Sequence, residues 1–175
     1  MKPLKQVGYS YLALSEGEQQ VQQGFFEDAV ASYKKAMEIS RTIPKDEAFD
    51  YDGFDAIAHT GLSGSLVKLG KYADGLHSAE IALRYFNRRG ELHQDEGKQW
   101  IEAVYNRAVA LEGIGRVEEA LKAYRIVGEM IAERKGDLEN KQERQQRIER
   151  HIKKLQDVVP DKKPAVYKAW WEFWS

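Results

Sequence analysis

The chain has no cysteine among its 175 residues, which removes a disulfide framework, a thiolate metal site and a thiol nucleophile in one step. That composition suits a reducing compartment, and we read the protein as cytoplasmic. An excess of one charge is missing as well: 27 lysines and arginines stand against 28 aspartates and glutamates, a formal net charge of -1. No whole-molecule field therefore draws the chain to nucleic acid, and only a local basic patch could serve there. No apolar run approaches the roughly 18 residues that a membrane span needs. At the N-terminus, Lys2 and Lys5 precede Val7 to Leu14, but Tyr9, Ser10 and Tyr11 interrupt the run. It reads as the start of a helix rather than as a signal peptide.

Motifs of chemistry are scarce too. The sequence contains no phosphate-cradling glycine loop, no H-E-x-x-H and no G-x-S-x-G. Its histidines are His59, His77, His93 and His151, of which His77 with Glu80 and His93 with Glu96 are spaced three apart. Helical di-metal sites use the opposite order, Glu-x-x-His, with two further glutamates. We expect no metal, no cofactor and no catalytic residue.

What the chain does have is a pattern that repeats. From Val104 to Val127, VYNRAVALEGIGRVEEALKAYRIV, two 3.6-residue apolar periods flank Gly115: Val104, Ala108 and Leu111 before it, Ala120, Tyr124 and Val127 after it. The small residues Ala108 and Ala120 fall where two helix backbones must approach, and Glu118 and Glu119 lie where carboxylates favour a helix N-terminus. This segment resembles a tetratricopeptide repeat (TPR), with a small residue in the first helix and the A-x3-F/Y-x2-small pattern in the second. The pattern occurs three times, anchored on Gly24, Gly70 and Gly115, which are 46 and 45 residues apart. The standard repeat is about 34 residues. The excess is close to three helical turns, so both helices of each unit can lengthen while their apolar stripes keep phase.

The resemblance implies an all-α fold: a right-handed solenoid of three TPR-like helical hairpins with a C-terminal capping helix and an aromatic tail. The repeat domain is expected over residues 1–157, with units at about 5–44, 50–90 and 95–136 and the cap at 138–157. In the first unit Gly17, Ala29, Tyr33 and Ala36 carry the signature, while Glu16 and Gln20 suggest a terminal helix with one face in water. Pro44 ends the second helix, and the acidic stretch Asp46 to Asp52 reads as a loop. The second unit is weaker, with Gly75 for the usual alanine and Ala79 for the aromatic. Gly90, following Arg88 and Arg89, should close its second helix. The cap has few apolar positions, mainly Ile148, Ile152 and Leu155, as the end of a repeat stack requires. Its basic stripe of Arg144, Arg147, Arg150 and Lys154 is interleaved with Glu143 and Glu149 and reads as a solvated face. RNA or an acidic partner is the other use such a stripe could have.

In this family the first helix of each pair lines a concave side. The positions implied here are Tyr11, Leu14, Glu18 and Val21, then Ile57, Thr60, Gly64, Val67 and Lys68, then Tyr105, Asn106, Val109 and Glu112. Asn106 matches a groove asparagine that in relatives binds a peptide backbone; capping or facing water is the alternative. The clamp by which some relatives hold a peptide's C-terminal carboxylate is absent, because Leu14, Glu18, Gly61 and Glu102 occupy its positions. Residues 158–175, VPDKKPAVYKAWWEFWS after Val158, are unlike anything upstream. Tyr167, Trp170, Trp171, Phe173 and Trp174 each offer about 150–250 Å² of ring surface. At about 25 cal/mol per Å², half burial of all five is worth on the order of 10 kcal/mol before ordering costs. The expected function is a non-catalytic adaptor that binds a peptide or helix in its groove and docks or self-associates through the tail. The alternative is a peripheral membrane or secretion and assembly chaperone, with the tail's tryptophans and Lys162, Lys163 and Lys168 at a lipid interface.

Overall fold

The computed structural model describes residues 3–159 and residue 171. Among these residues there are seven helices and no strand: α1 (Pro3–Gln23), α2 (Phe26–Ser40), α3 (Tyr51–Lys68), α4 (Tyr72–Arg89), α5 (Glu96–Gly113), α6 (Val117–Glu133) and α7 (Lys141–Gln156). Each helix packs on its neighbour in sequence, and α3 packs on α5 in addition, so the hairpins stack in chain order. This is the all-α, TPR-like architecture that the resemblance implies. Long helices absorb the extra residues of each repeat, with α3, α4 and α5 at 18 residues each.

The three hairpin turns are built alike. Gly24, Gly70 and Gly115 sit at φ of 80°, 73° and 82°, the left-handed region that a side chain would strain. One residue later the backbone N–H reaches back to the helix just ended: Phe25 to Gln20 O at 2.8 Å, Lys71 to Leu66 O at 2.9 Å and Arg116 to Leu111 O at 2.9 Å. The same 6→1 bond therefore closes every first helix and reverses the chain. Gly90, also left-handed at φ 65°, ends α4 in the expected way.

Helix starts differ from the sequence reading at two places. The stretch expected as a loop to Asp52 becomes helical at Tyr51, because the Asp50 carboxylate accepts from the Gly53 N–H at 3.0 Å and caps the helix. The cap helix begins at Lys141 rather than near Leu138. Leu138 instead packs, partly buried, against the core.

Apolar residues form two clusters. One lies among α1, α2 and α3 around Tyr33, Met37, Phe54 and Leu62; the other runs from α3 to α7 around Phe86, Ile101, Leu111, Tyr124 and Met130. Ile57 touches both.

The joints between hairpins are individual. At the first, the Tyr33 ring fills the space above Gly17 and Gly61: a Cβ on Gly17 would lie 3.0 Å from it, and one on Gly61 would run into it. At the last, the equivalent ring of Tyr124 stacks on His151 of α7, centroids 4.6 Å apart and planes at 12°. The middle joint has Ala79 in the tyrosine position. Asn106, one repeat after Gly61, turns back there to donate to Thr60 O at 3.2 Å and Ser63 Oγ at 3.0 Å. Gly75 permits a close α3–α4 approach, since a Cβ would stand 2.9 Å from Val67 Cγ2 and 3.3 Å from Ser63 O.

Candidate peptide groove

The groove positions implied by the resemblance fall on α1, α3 and α5, and burial divides them. Thr60 and Asn106 are buried at 1% and 4% exposure, and Leu14 at 6%. Thr60 Oγ1 bonds Ala56 O at 2.8 Å inside its own helix. Asn106 spends its amide hydrogens on α3, so it ties two first helices together and its amide faces neither a peptide nor water. The physical reason is Gly64, whose missing side chain leaves room for that amide: a Cβ there would come 3.2 Å from Asn106 Nδ2.

The remaining positions reach the surface. Tyr11 is 50% exposed, Glu18 and Lys68 are exposed, and Val21, Ile57, Gly64, Val67, Tyr105 and Val109 are half-buried. Partial burial raises the Glu18 carboxyl above its ordinary range. Glu18 in turn adds to the burial that raises the Tyr33 phenol.

Tyr11 heads an aromatic platform that sequence reasoning did not assemble. Its ring meets Phe54 edge-on at 5.2 Å and Phe49 at 6.1 Å, and Phe49 meets Tyr51 at 4.9 Å. Lys45 lies over Tyr51 at 4.2 Å. The signal was present in the spacing of Phe49, Tyr51 and Phe54, three rings in six residues, but Phe49 and Tyr51 sat in the stretch read as loop.

At the other end, Glu112 is half-buried and fully engaged. Tyr124 Oη donates to its Oε2 at 2.7 Å, His151 Nδ1 lies 2.8 Å from the same oxygen, and Lys154 Nζ is 2.9 Å from Oε1. Burial works to raise this carboxyl, but the hydrogen bonds from Tyr124 and Lys154 and the charges of His151 and Lys154 together hold it below its ordinary value. Arg144 pairs with Glu102 at 3.1 Å, and Arg147 with Glu143 at 3.0 Å. Arg144 and Lys154 of the stripe read as a solvated basic face thus fasten α7 to α5, while the Arg147–Glu143 pair lies within α7.

Two of the clefts among the described residues bear on the groove helices α5 and α3. One of about 190 Å³ lies between α5, α6 and α7, with Glu102, Tyr105, Arg144 and Arg147 among its lining. The other, about 490 Å³, is bounded by Asp52 and Asp55 of α3 and Arg84 and Arg88 of α4. Asp55 Oδ1 and, one turn on, His59 Nδ1 are buried without a hydrogen-bond partner. Burial raises the Asp55 carboxyl and lowers the His59 imidazole to about 4. Among the described residues no cluster of three or more histidines or carboxylates could hold a metal ion, and no helix is long and apolar enough to cross a membrane.

Of the tail residues, Tyr167, Trp170, Phe173 and Trp174 lie outside the described residues; Trp171 is described and is 57% exposed.

Stacked hairpins with recurrent glycine turns and small-residue contacts define a TPR-like helical-repeat protein. The chain belongs to the family described as Domain of Unknown Function (DUF3856), whose model matches residues 2–144. It is also similar to a solved structure, a TPR-like protein from Chlorobium tepidum. The two are 51% identical with a TM-score of 0.85, over 89% of this chain and 99% of that one. A search of the curated proteins gives no match.

Proposed function

We propose that the protein is a non-catalytic cytoplasmic adaptor that holds a peptide or helix from another protein along α1, α3 and α5. The residues from residue 158 onward then serve as a docking or self-association element. The observation that carries this reading is the pair of half-exposed rings Tyr11 and Phe49, seated on the buried Phe54 and continued along α3 by Ile57 and Val67. Half-buried apolar side chains on rigid helices are what an apolar anchor of a partner helix needs. Glu18 and Lys68 flank the row with opposite charges and would set the partner's orientation more than its affinity. The buried members of the expected set, Leu14, Thr60 and Asn106, contribute by holding the helices at the required separation.

A displayed random-peptide library selected on the intact protein tests this. Selected peptides should share apolar anchors at helical or alternating spacing, and Tyr11→Ala with Val67→Ala should weaken them about tenfold or more. Asn106→Ala should lower thermal stability and leave the anchor pattern unchanged. Peptides whose binding ignores Tyr11 and Val67 would move the site elsewhere.

A further inference from the structure

Three exposed large apolar side chains, Tyr9 at 56%, Tyr11 at 50% and Leu12 at 66%, stand on α1. Tyr11 leans on Phe54 and Phe49. Tyr9 and Leu12 lie one turn apart on a different face. Helix α1 turns Ser10, Ala13, Leu14 and Gly17 inward, against α2 and, more lightly, α3. At 100° per residue its opposite side carries Lys5, Tyr9, Leu12 and Glu16, all exposed. Among the described residues none of these four side chains has a hydrogen bond, ion pair or ring contact.

Gly8 sits beside this stripe, one turn before Leu12. It is exposed, and a Cβ built on it would meet nothing within 4 Å. Glycine inside a helix is less stable than alanine, and no packing among the described residues calls for it here. Bare backbone at that point lets a second helix come close.

The order of the stripe says which helix. Lys5, Tyr9, Leu12 and Glu16 follow one another at intervals of four, three and four residues, the spacing of a seam between two helices. A cation begins it, an anion ends it, and two apolar side chains lie between. Turned end for end, the stripe complements itself. About a twofold axis at the midpoint between Ser10 and Tyr11, Tyr9 of one copy meets Leu12 of the other and Lys5 meets Glu16, each pair occurring twice. Pairing in the same direction would set Lys5 against Lys5 and Glu16 against Glu16. Beside the seam, exposed Lys34 and Lys35 of α2 stand with Glu27, Asp28 and Glu38, a small acidic excess that salt screens.

We propose that α1 pairs antiparallel with α1 of a second copy, through Tyr9 and Leu12 flanked by Lys5–Glu16 ion pairs. The groove positions Tyr11, Leu14 and Glu18 lie on other sides of α1 and stay free for a partner, so this inference and the groove reading stand or fall separately. The seam is short, about 17 Å of helix from Lys5 to Glu16. It buries well under the roughly 800 Å² per partner of a standard interface, so the dimer is a weak one, with a Kd on the order of 100 µM.

Sedimentation equilibrium of the full-length protein from about 10 µM to about 1 mM, bracketing that Kd, tests this. The mass should rise from monomer toward dimer across the range. Leu12→Glu, a surface change, should hold the protein monomeric throughout with unchanged helical content. Lys5→Glu and Glu16→Lys should each weaken association several-fold, since each turns two attractive pairs into two repulsive ones, and the double swap should restore it. Because the chain has no cysteine, Tyr9→Cys and Leu12→Cys proteins mixed under mild oxidation should join chiefly to each other. A monomer at every concentration would overturn the proposal. So would a dimer indifferent to Leu12→Glu, which would move self-association to another surface. A double swap that fails to restore association, or disulfides formed mainly like with like, would overturn the antiparallel seam.

Discussion

At the residue scale, stability concentrates in small side chains that admit large ones. Gly61 faces the Tyr33 ring with no room for a Cβ, so Gly61→Ala should destabilise the protein by about 1–3 kcal/mol, read as a lowered urea midpoint. Gly17→Ala, at 3.0 Å from the same ring, should cost less. Asn106→Ala removes two hydrogen bonds to α3 from a buried site and should cost about 1–3 kcal/mol. His59 supplies a pH dependence: burial first, then His77, Arg41 and Arg84, lower its imidazole from 6.5 to about 4. The folded protein thus resists a proton that the unfolded chain accepts, so stability should be full above about pH 6.5 and fall as pH drops toward 4. His59→Gln should flatten that part of the acid limb in a series of urea titrations from pH 7 to 4. The turn glycines were legible because a left-handed turn at a fixed interval leaves a compositional trace. Asn106 was misplaced for a different reason: its orientation depends on Gly64, 42 positions away, and no periodicity records which side of a helix an amide will choose.

At the element scale, α7 is held by a few specific contacts. Only Ile148 and Leu155 of it are buried; further attachment comes from Glu112 with Tyr124, His151 and Lys154, from Arg144 on Glu102, from Arg147 on Tyr105 and from the partly buried Ile152. Removing the carboxylate in Glu112→Ala should release α7 locally, so that its amides exchange hydrogen at least tenfold faster in mass-spectrometric measurements while α3 and α4 stay protected. A global loss of protection would mean that α7 is integral to the core rather than applied to it. The helices themselves could be read from the chain, since their apolar periods and glycine stops agree. The start of α3 could not, because an aspartate cap inside an acidic run looks like more of the run. The partners of the basic stripe were also invisible, because sequence shows Arg144 beside Glu143 and not opposite Glu102.

At the scale of the whole molecule, contacts run mainly between successive helices, so stability should vary along the stack. The most deeply buried large side chains, among them Tyr124, Phe86, Ile101, Leu111, Met130 and Ile131, belong to α4, α5 and α6. Hydrogen exchange should therefore be slowest there and faster in the terminal helices α1 and α7, each of which packs on one successive helix among the described residues; slower exchange in α1 than in α5 would mean that the first cluster, around Tyr33, is the stable nucleus. Fold class was readable at this scale because repetition multiplies a weak local signal. The degree of exposure of Tyr11 and Val67 was not, since it is decided by the spacing of whole helices. The individuality of the three joints has one more consequence. Tyr33 is matched to a glycine, Tyr124 to a histidine, and the middle joint to an asparagine that reaches backward. A hairpin displaced by one place, or borrowed from another molecule, would drive a tyrosine into Asn106 or leave a hole opposite Gly61. Each unit thus accepts a single successor, which keeps folding chains from stacking out of step or exchanging units with one another.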